Sequence, residues 1–189
     1  MKILFCNKYS FPFSGTEVYL FELMNLLRSR GHEVALFSMA DPHAEASSDD
    51  KWFLPHIDFK DDALGMFSRA KLAAHAVYST DARHRLRLAI SEFQPDIAHI
   101  RNIYHHLSPS ILWELKAQNI PVLYHLNDFK LLCPAYNLVT NGKACDNPCT
   151  GQYWRLLHQG CYTGPTNAAT VLVAEAYVHH WLGTYQKCV

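Results

Sequence analysis

The chain has 189 residues, a length that suits one domain or one domain with an elaborated end. Hydrophobic residues make up 49% and charged residues only 18%, which fills a core and excludes a disordered tail. Seventeen basic and 17 acidic side chains cancel, so the basic surplus that neutralises duplex phosphates is missing and no nucleic-acid partner is expected.

No apolar run reaches the roughly 18 residues of a membrane span. The opening run Met1–Cys6 breaks at Asn7-Lys8, too soon for a signal-peptide core. A cytoplasmic protein with reduced thiols is expected, and its six cysteines then need a role other than disulfides.

In chain order, Lys2–Cys6 is apolar almost throughout, as in a strand buried on both faces. A loop with Pro12, Ser14 and Gly15 leads into a helix over about 16–30. There Leu20, Leu23, Met24 and Leu27 share one face, and Gly31 stops it. Residues 33–38 form the second strand, and 41–55 a polar excursion. Two helical patterns follow, near 63–78 and 81–93. In the second, Leu86, Ala89, Ile90 and Phe93 line one face, and Arg83, His84, Arg87 and Glu92 the other. The charged face is either solvated or turned to an anionic membrane surface. Residues 96–100 are the third strand. Ser108 then caps a helix that has Pro109 at its first position and ends near 117–118. Residues 121–126 are the fourth strand, 127–165 an irregular loop rich in Cys, Asn, Gly and Pro, and 167–184 a last helix. Its predicted buried side is Val171, Ala174, Val178 and Leu182.

Strands alternating with helices imply an α/β fold with a parallel sheet and helices on both faces. Ligands of such sheets sit beyond the C-terminal ends of the strands. The loop Ser14-Gly15-Thr16-Glu17 offers close backbone approach and free N–H groups, although a plain turn and N-cap explains it equally well. It has neither the full dinucleotide fingerprint nor a Walker lysine. The loop after strand three carries His99, Arg101, Asn102, Tyr104, His105 and His106, polar crowding where a site belongs. His99, inside the strand, also fits a satisfied core position. At the end of strand four, alternation puts His125 and Asn127 on one face. Asp128 and Lys130 either pair with each other or hold sugar hydroxyls, which need mixed donors and acceptors.

These segments resemble the N-terminal domain of the family 4 glycosyltransferases. The matching pieces are Met1–Asn7, Ser14-Gly15-Thr16-Glu17, the stretch 26–34 containing Arg30-Gly31-His32-Glu33-Val34, residues 95–110, and 119–134. The most specific are Pro95-Asp96-Ile97-Ala98-His99-Ile100 with Tyr104-His105-His106-Leu107-Ser108, and Asp128-Phe129-Lys130-Leu131-Leu132-Cys133-Pro134. The resemblance implies a Rossmann-like, doubly wound parallel sheet that forms the acceptor-side half of a GT-B enzyme and spans residues 1–189. It implies a nucleotide-sugar donor as co-substrate, held mainly by a C-terminal domain absent from this chain. It further implies a saccharide or lipid-linked hydroxyl acceptor, retained anomeric configuration and no catalytic metal.

Carried onto this chain, the substrate-binding candidates are Ser14, Gly15, Thr16, Glu17, Asn102, Tyr104, His105, His106 and Lys130. The catalytic candidates are His125, Asn127 and Asp128. Two departures stand out. Family members often have a double glycine at Ser14-Gly15, and many have His-Asp where this chain has Asn127-Asp128. Asn127 hydrogen-bonds but carries no proton at neutral pH. A polysaccharide or lipid-linked acceptor would suit an enzyme held peripherally at the inner face of the membrane. The competing reading is a stand-alone binding domain, or a degenerate, non-catalytic transferase partner on the same fold.

The irregular loop holds Cys133, Cys145, Cys149 and Cys161 in the spacing C-x11-C-x3-C-x11-C. Four soft ligands are what a structural zinc takes, and a metal orders loops too polar to fold around a core. His158 is a substitute ligand. Family relatives often show a tighter cysteine pair here. The alternatives are buried thiols acting as small apolar residues, or disulfides formed on oxidation. Cys6 and Cys188 lie outside this group.

Overall fold

The structure, a computed structural model, describes residues 1–58 and 65–189. It divides into two compact units, one of residues 1–125 with 188–189 and one of residues 126–187.

The first unit holds β1 (Lys2–Tyr9), α1 (Gly15–Ser29), β2 (Glu33–Met39), α2 (Met66–Val77), α3 (Thr80–Phe93), β3 (Ile97–Ile100), α4 (Ile111–Ala117) and β4 (Val122–Tyr124). The start of the predicted second helix, residues 63 and 64, lies outside the described residues. The strands form one sheet in the order β2-β1-β3-β4, parallel throughout. Phe5 sits between Leu36 and His99 in register. The chain leaves β1 for β2 on one side, then crosses to β3 and β4 on the other. The winding therefore reverses between β1 and β3, and a crevice opens at the carboxyl ends of those two strands.

Both faces of the sheet are covered. Ile3, Phe5 and Leu36 pack with Leu20 and Met24 of α1, with Leu23 and Leu27 partly buried at the margin, the face expected from their helical spacing. The alternate row, Leu4, Cys6, Phe37, Ala98 and Ile100, is wholly buried. Each such large side chain contributes about 1.5–3 kcal/mol relative to exposure. The Ser79 hydroxyl accepts from the Ala82 N–H at 3.0 Å and caps α3, which Gln94 ends in a left-handed turn (φ 54°) just before Pro95.

Two expectations for this unit need correction. Ser108 caps only the turn that leads into the helix: it is left-handed (φ 63°), its hydroxyl donates to the Val77 carbonyl and accepts from the Ser110 N–H at 3.4 Å, and α4 begins only at Ile111. Pro109 takes part in that turn, because its carbonyl accepts from Leu112 in an i+3 pattern. The charged side of α3 is no simple solvated face either. Arg87 and Arg83 both donate to the buried carboxylate of Glu114 in α4, with shortest contacts of 2.7 and 3.1 Å.

The second unit is less irregular than its composition predicts. Asn141-Gly142, both left-handed, close a two-residue hairpin between β5 (Val139–Thr140) and β6 (Lys143–Ala144). A 3-10 turn spans Tyr153–Leu157, and α5 (Thr166–Leu182) and α6 (Thr184–Cys188) follow, separated by left-handed Gly183. The buried side of α5 is Ala169, Leu172, Val173, Glu175 and His179 rather than the predicted one, and Ala174 and Leu182 are exposed. The helix is apolar on nearly every side, so periodicity cannot orient it. What lies across from it does: Cys133, Ala135, Cys149, Tyr153 and Leu156 pack on its apolar stripe. Lys130 Nζ donates to Glu175 Oε2 at 2.8 Å, with both side chains almost wholly buried.

Candidate functional site

In the first unit, polar groups gather where the winding reverses. Asn7 interrupts the apolar run of β1 and is fully buried. Its Oδ1 accepts from the Asn102 N–H at 3.4 Å. Its Nδ2 donates to the Tyr9 carbonyl at 3.0 Å and to Glu17 Oε1 at 3.4 Å. Glu17, also buried, takes the Ser14 hydroxyl at 2.6 Å. Ser14, Glu17, Asn7 and Asn102 thus form one hydrogen-bonded chain that ties the first turn of α1 to the ends of β1 and β3. Gly15 is exposed, and a β-carbon there would meet nothing within 4 Å, so packing does not demand glycine. Thr16 is half-buried beside it.

A column of rings and one guanidinium stands at the same place. His99 stacks on Phe5 at 4.7 Å and on His125 at 5.6 Å. Tyr19 meets His125 edge-on at 5.5 Å, and the Arg101 guanidinium lies over the Tyr19 ring at 4.7 Å. Burial, then the neighbouring His125 and Arg101 charges, hold His99 down to about 4. Burial and then Arg101 push His125 below its ordinary value. Both imidazoles are therefore neutral at pH 7, and His125 fits a hydrogen-bonding role better than that of a standing cation.

The loop after β3 folds tightly. His105 is left-handed (φ 62°), as is Ser108, an arrangement that non-glycine residues adopt at a cost. The Tyr124 hydroxyl donates to the Tyr104 hydroxyl at 2.9 Å. His106 is held down to about 4, first by burial and then by Lys8. The first loop brings Tyr9 within 4.6 Å of Phe13 and 5.9 Å of the His106 ring, and Phe13 is 60% exposed.

Of the predicted site residues, Ser14, Gly15, Thr16, Glu17, Asn102, Tyr104, His105, His106 and His125 belong to this unit. Asn127, Asp128 and Lys130 belong to the second. β4 stops at Tyr124, so strand alternation does not extend from His125 to Asn127. Asp128 does not pair with the Lys130 side chain. Its Oδ1 accepts from the Lys130 backbone N–H at 2.9 Å, while the ammonium is engaged by Glu175. Asn127 is exposed. The sequence marks Arg101 only as part of the polar crowding after β3, and it singles out neither Asn7 nor Tyr19 as a site residue. Asn7 read as the end of an apolar run, and only the strand order shows that it faces the reversal point.

All four cysteines of the spaced set are free thiols in the second unit. Cys133 and Cys149 lie in its buried core, and Cys161 packs against that core. Burial first, then mutual repulsion among the four, raises the Cys149 thiol. Among the described residues, no three or more His, Cys, Asp or Glu side chains are arranged to hold a metal ion.

A parallel α/β sheet that reverses its winding between β1 and β3 defines a Rossmann-like fold, a class whose ligands generally sit beyond the carboxyl ends of the strands at that reversal. Residues 13–139 match the family model described as Glycosyltransferase Family 4, and the chain belongs to that family. No curated protein matches it in sequence.

Proposed function

We propose that the chain is the acceptor-side half of a nucleotide-sugar-dependent glycosyltransferase. The reaction moves a sugar to a hydroxyl of a saccharide or lipid-linked acceptor in cell-surface polysaccharide synthesis, with retained configuration and no catalytic metal. Beyond family membership, the observation that carries this is the pairing of a buried polar network with an exposed aromatic loop at one sheet end. Sugars present both hydroxyls and flat apolar faces. Asn102 and His125 supply donors and acceptors, Asn7 holds Asn102 in place, and Tyr9, Phe11 and Phe13 supply rings. The open space at Gly15 leaves the first turn of α1 free for a phosphate or sugar to approach the backbone. Asn127 and Asp128 are candidates for contacts to the reacting sugar.

In this proposal a further domain binds most of the donor, and closure of two domains positions the substrates. The 189-residue chain alone therefore transfers no sugar, and turnover of any nucleotide sugar by it would refute the division of labour. The enzyme works at the inner face of the membrane, held there peripherally by its acceptor. No helix among the described residues is long and apolar enough to cross a bilayer. We further propose a structural zinc on Cys133, Cys145, Cys149 and Cys161. In its support, burial first and then the neighbouring thiols raise Cys149 and Cys161, and a bound cation drawing the four sulfurs together would reverse that effect.

A further inference from the structure

Arg101 is a poorly satisfied charge among the described residues of the first unit. It follows β3 directly, and its backbone N–H donates to the Cys6 carbonyl at 3.0 Å, which fixes it at the reversal of winding. The residue is only 4% exposed. Its Nε and Nη1 are shielded from solvent, and neither has a hydrogen-bond partner among the described residues. The guanidinium face rests on Tyr19, so the ring holds the group in place while its edge keeps its N–H donors.

Burying a charge without partners is costly, and a fold keeps one only where something else repays the cost. The nearest carboxylate does not fill the place. Glu17 lies close enough to act on Arg101 electrostatically, yet its oxygens go to Ser14 and Asn7. His99, one rung lower in the column, also has an unpartnered Nε2. Arg101 thus stands at the mouth of the sheet with unused donors, against Tyr19 of α1, whose N-terminus itself favours anions.

We infer that Arg101 is an anion-binding residue, its guanidinium taking a phosphate of a diphosphate-bearing substrate. A planar fork of N–H donors matches phosphate oxygens two at a time. The choice of a diphosphate rests on the transferase proposal; the need for an anion rests on Arg101 alone. A diphosphate reaches such a site from a nucleotide donor or from a lipid-diphosphate acceptor.

The test is thermal unfolding of the 189-residue chain with and without inorganic diphosphate. Wild type is expected to gain a midpoint shift that shrinks with added salt. Arg101→Met should lose that shift, with affinity falling by about tenfold or more. Arg101→Lys should keep part of it. Without diphosphate, Arg101→Met should unfold no lower than wild type, because relief of a buried, unpaired charge offsets the lost contact with Tyr19. No shift in wild type, an equal shift in Arg101→Met, or an unliganded Arg101→Met that is destabilised or fails to fold would overturn the inference. Parallel titrations with a nucleoside diphosphate and a short prenyl diphosphate show which source binds more tightly, and protection by either through Arg101 supports the site. If diphosphate binds through Arg101 while the two-domain enzyme transfers no sugar, the transferase proposal fails and the anion site stands. If transfer proceeds with kcat/KM unchanged in Arg101→Met, the anion site fails and the transferase proposal stands.

Discussion

The two units solve the problem of internal cohesion differently. In the first, four parallel strands bury apolar side chains on both faces, and polar residues collect at one sheet end and on the α3–α4 contact. The second has only a two-residue hairpin for a sheet, and its core mixes thiols, tyrosine and a helix that is apolar all round. It also buries an ion pair, whereas the sheet core of the first unit is built of leucine and phenylalanine. A sheet core depends on many interchangeable hydrophobic contacts, so it tolerates single changes. A core held by a few specific partners does not.

The largest separation between the units should come from metal. If zinc joins the four cysteines, chelation should strip hydrogen-exchange protection from residues 126–187 and leave β1 and β3 protected. Protein purified with reductant and no added metal should carry near-stoichiometric zinc, lost in a Cys145→Ser, Cys149→Ser variant. Metal-free protein with an ordered second unit would remove the proposal.

Next in size is the buried pair. Lys130→Met or Glu175→Leu alone leaves an uncompensated buried charge and should cost about 3–5 kcal/mol in urea unfolding. The double variant should recover most of that, as packing replaces the pair. Additive losses in the cycle would show that the two side chains act independently.

A smaller effect is expected where the first unit uses charge. Hydrogen bonds from Arg87 first, then from Gln118 and Arg83, hold Glu114 down to about 2 from an ordinary 4.5. A folded pKa below the unfolded one stabilises at pH above about 4.5, and the benefit fades as pH falls towards 2. Glu114→Gln should flatten that acid limb. An unchanged pH dependence of stability between those values would show that the two arginines, which reach solvent, screen the carboxylate just as well when the chain is unfolded.

The smallest effect on stability should come from Gly15→Ala. The position is the first of α1, its β-carbon would meet open space, and its φ is not positive, so alanine should stabilise by about 0.4–1 kcal/mol. In the two-domain enzyme the same change should lower kcat/KM, since the added methyl stands where a ligand approaches. Unimpaired kcat/KM would make Gly15 a plain turn residue, while Arg30→Ala on the exposed surface serves as the neutral control.

These contrasts also explain what the sequence showed in advance. The first unit was legible because its signals are periodic: apolar runs for β1 to β3, and i, i+3, i+4 rows on α1 and α3. The α4 start differs from the expectation because the capping chemistry of Ser108-Pro109 acts on a turn, where Ser108 is left-handed and its hydroxyl also bonds the Val77 carbonyl. In the second unit, α5 gave no face because hydrophobicity surrounds it, and Lys130's partner lies 45 residues away. The site was half legible. Its loops follow from the general rule for parallel sheets, but Arg101, Asn7 and Tyr19 become a group only once β1 and β3 are known to be neighbours.

That neighbourhood has a consequence for how the chain is made. β1 is synthesised first yet lies inside the sheet, and it pairs with β2 on one edge and β3 on the other. β2 is complete at Met39, whereas β3 begins only at Ile97. At roughly 5–20 residues per second of translation, β1 waits about 3–12 s with one edge open. During that interval a run of Ile, Leu, Phe and Cys presents free backbone donors and acceptors to any other strand in reach. The emerging chain is thus most vulnerable to misassembly before residue 100 leaves the ribosome, and what closes the window is the same strand that delivers Arg101.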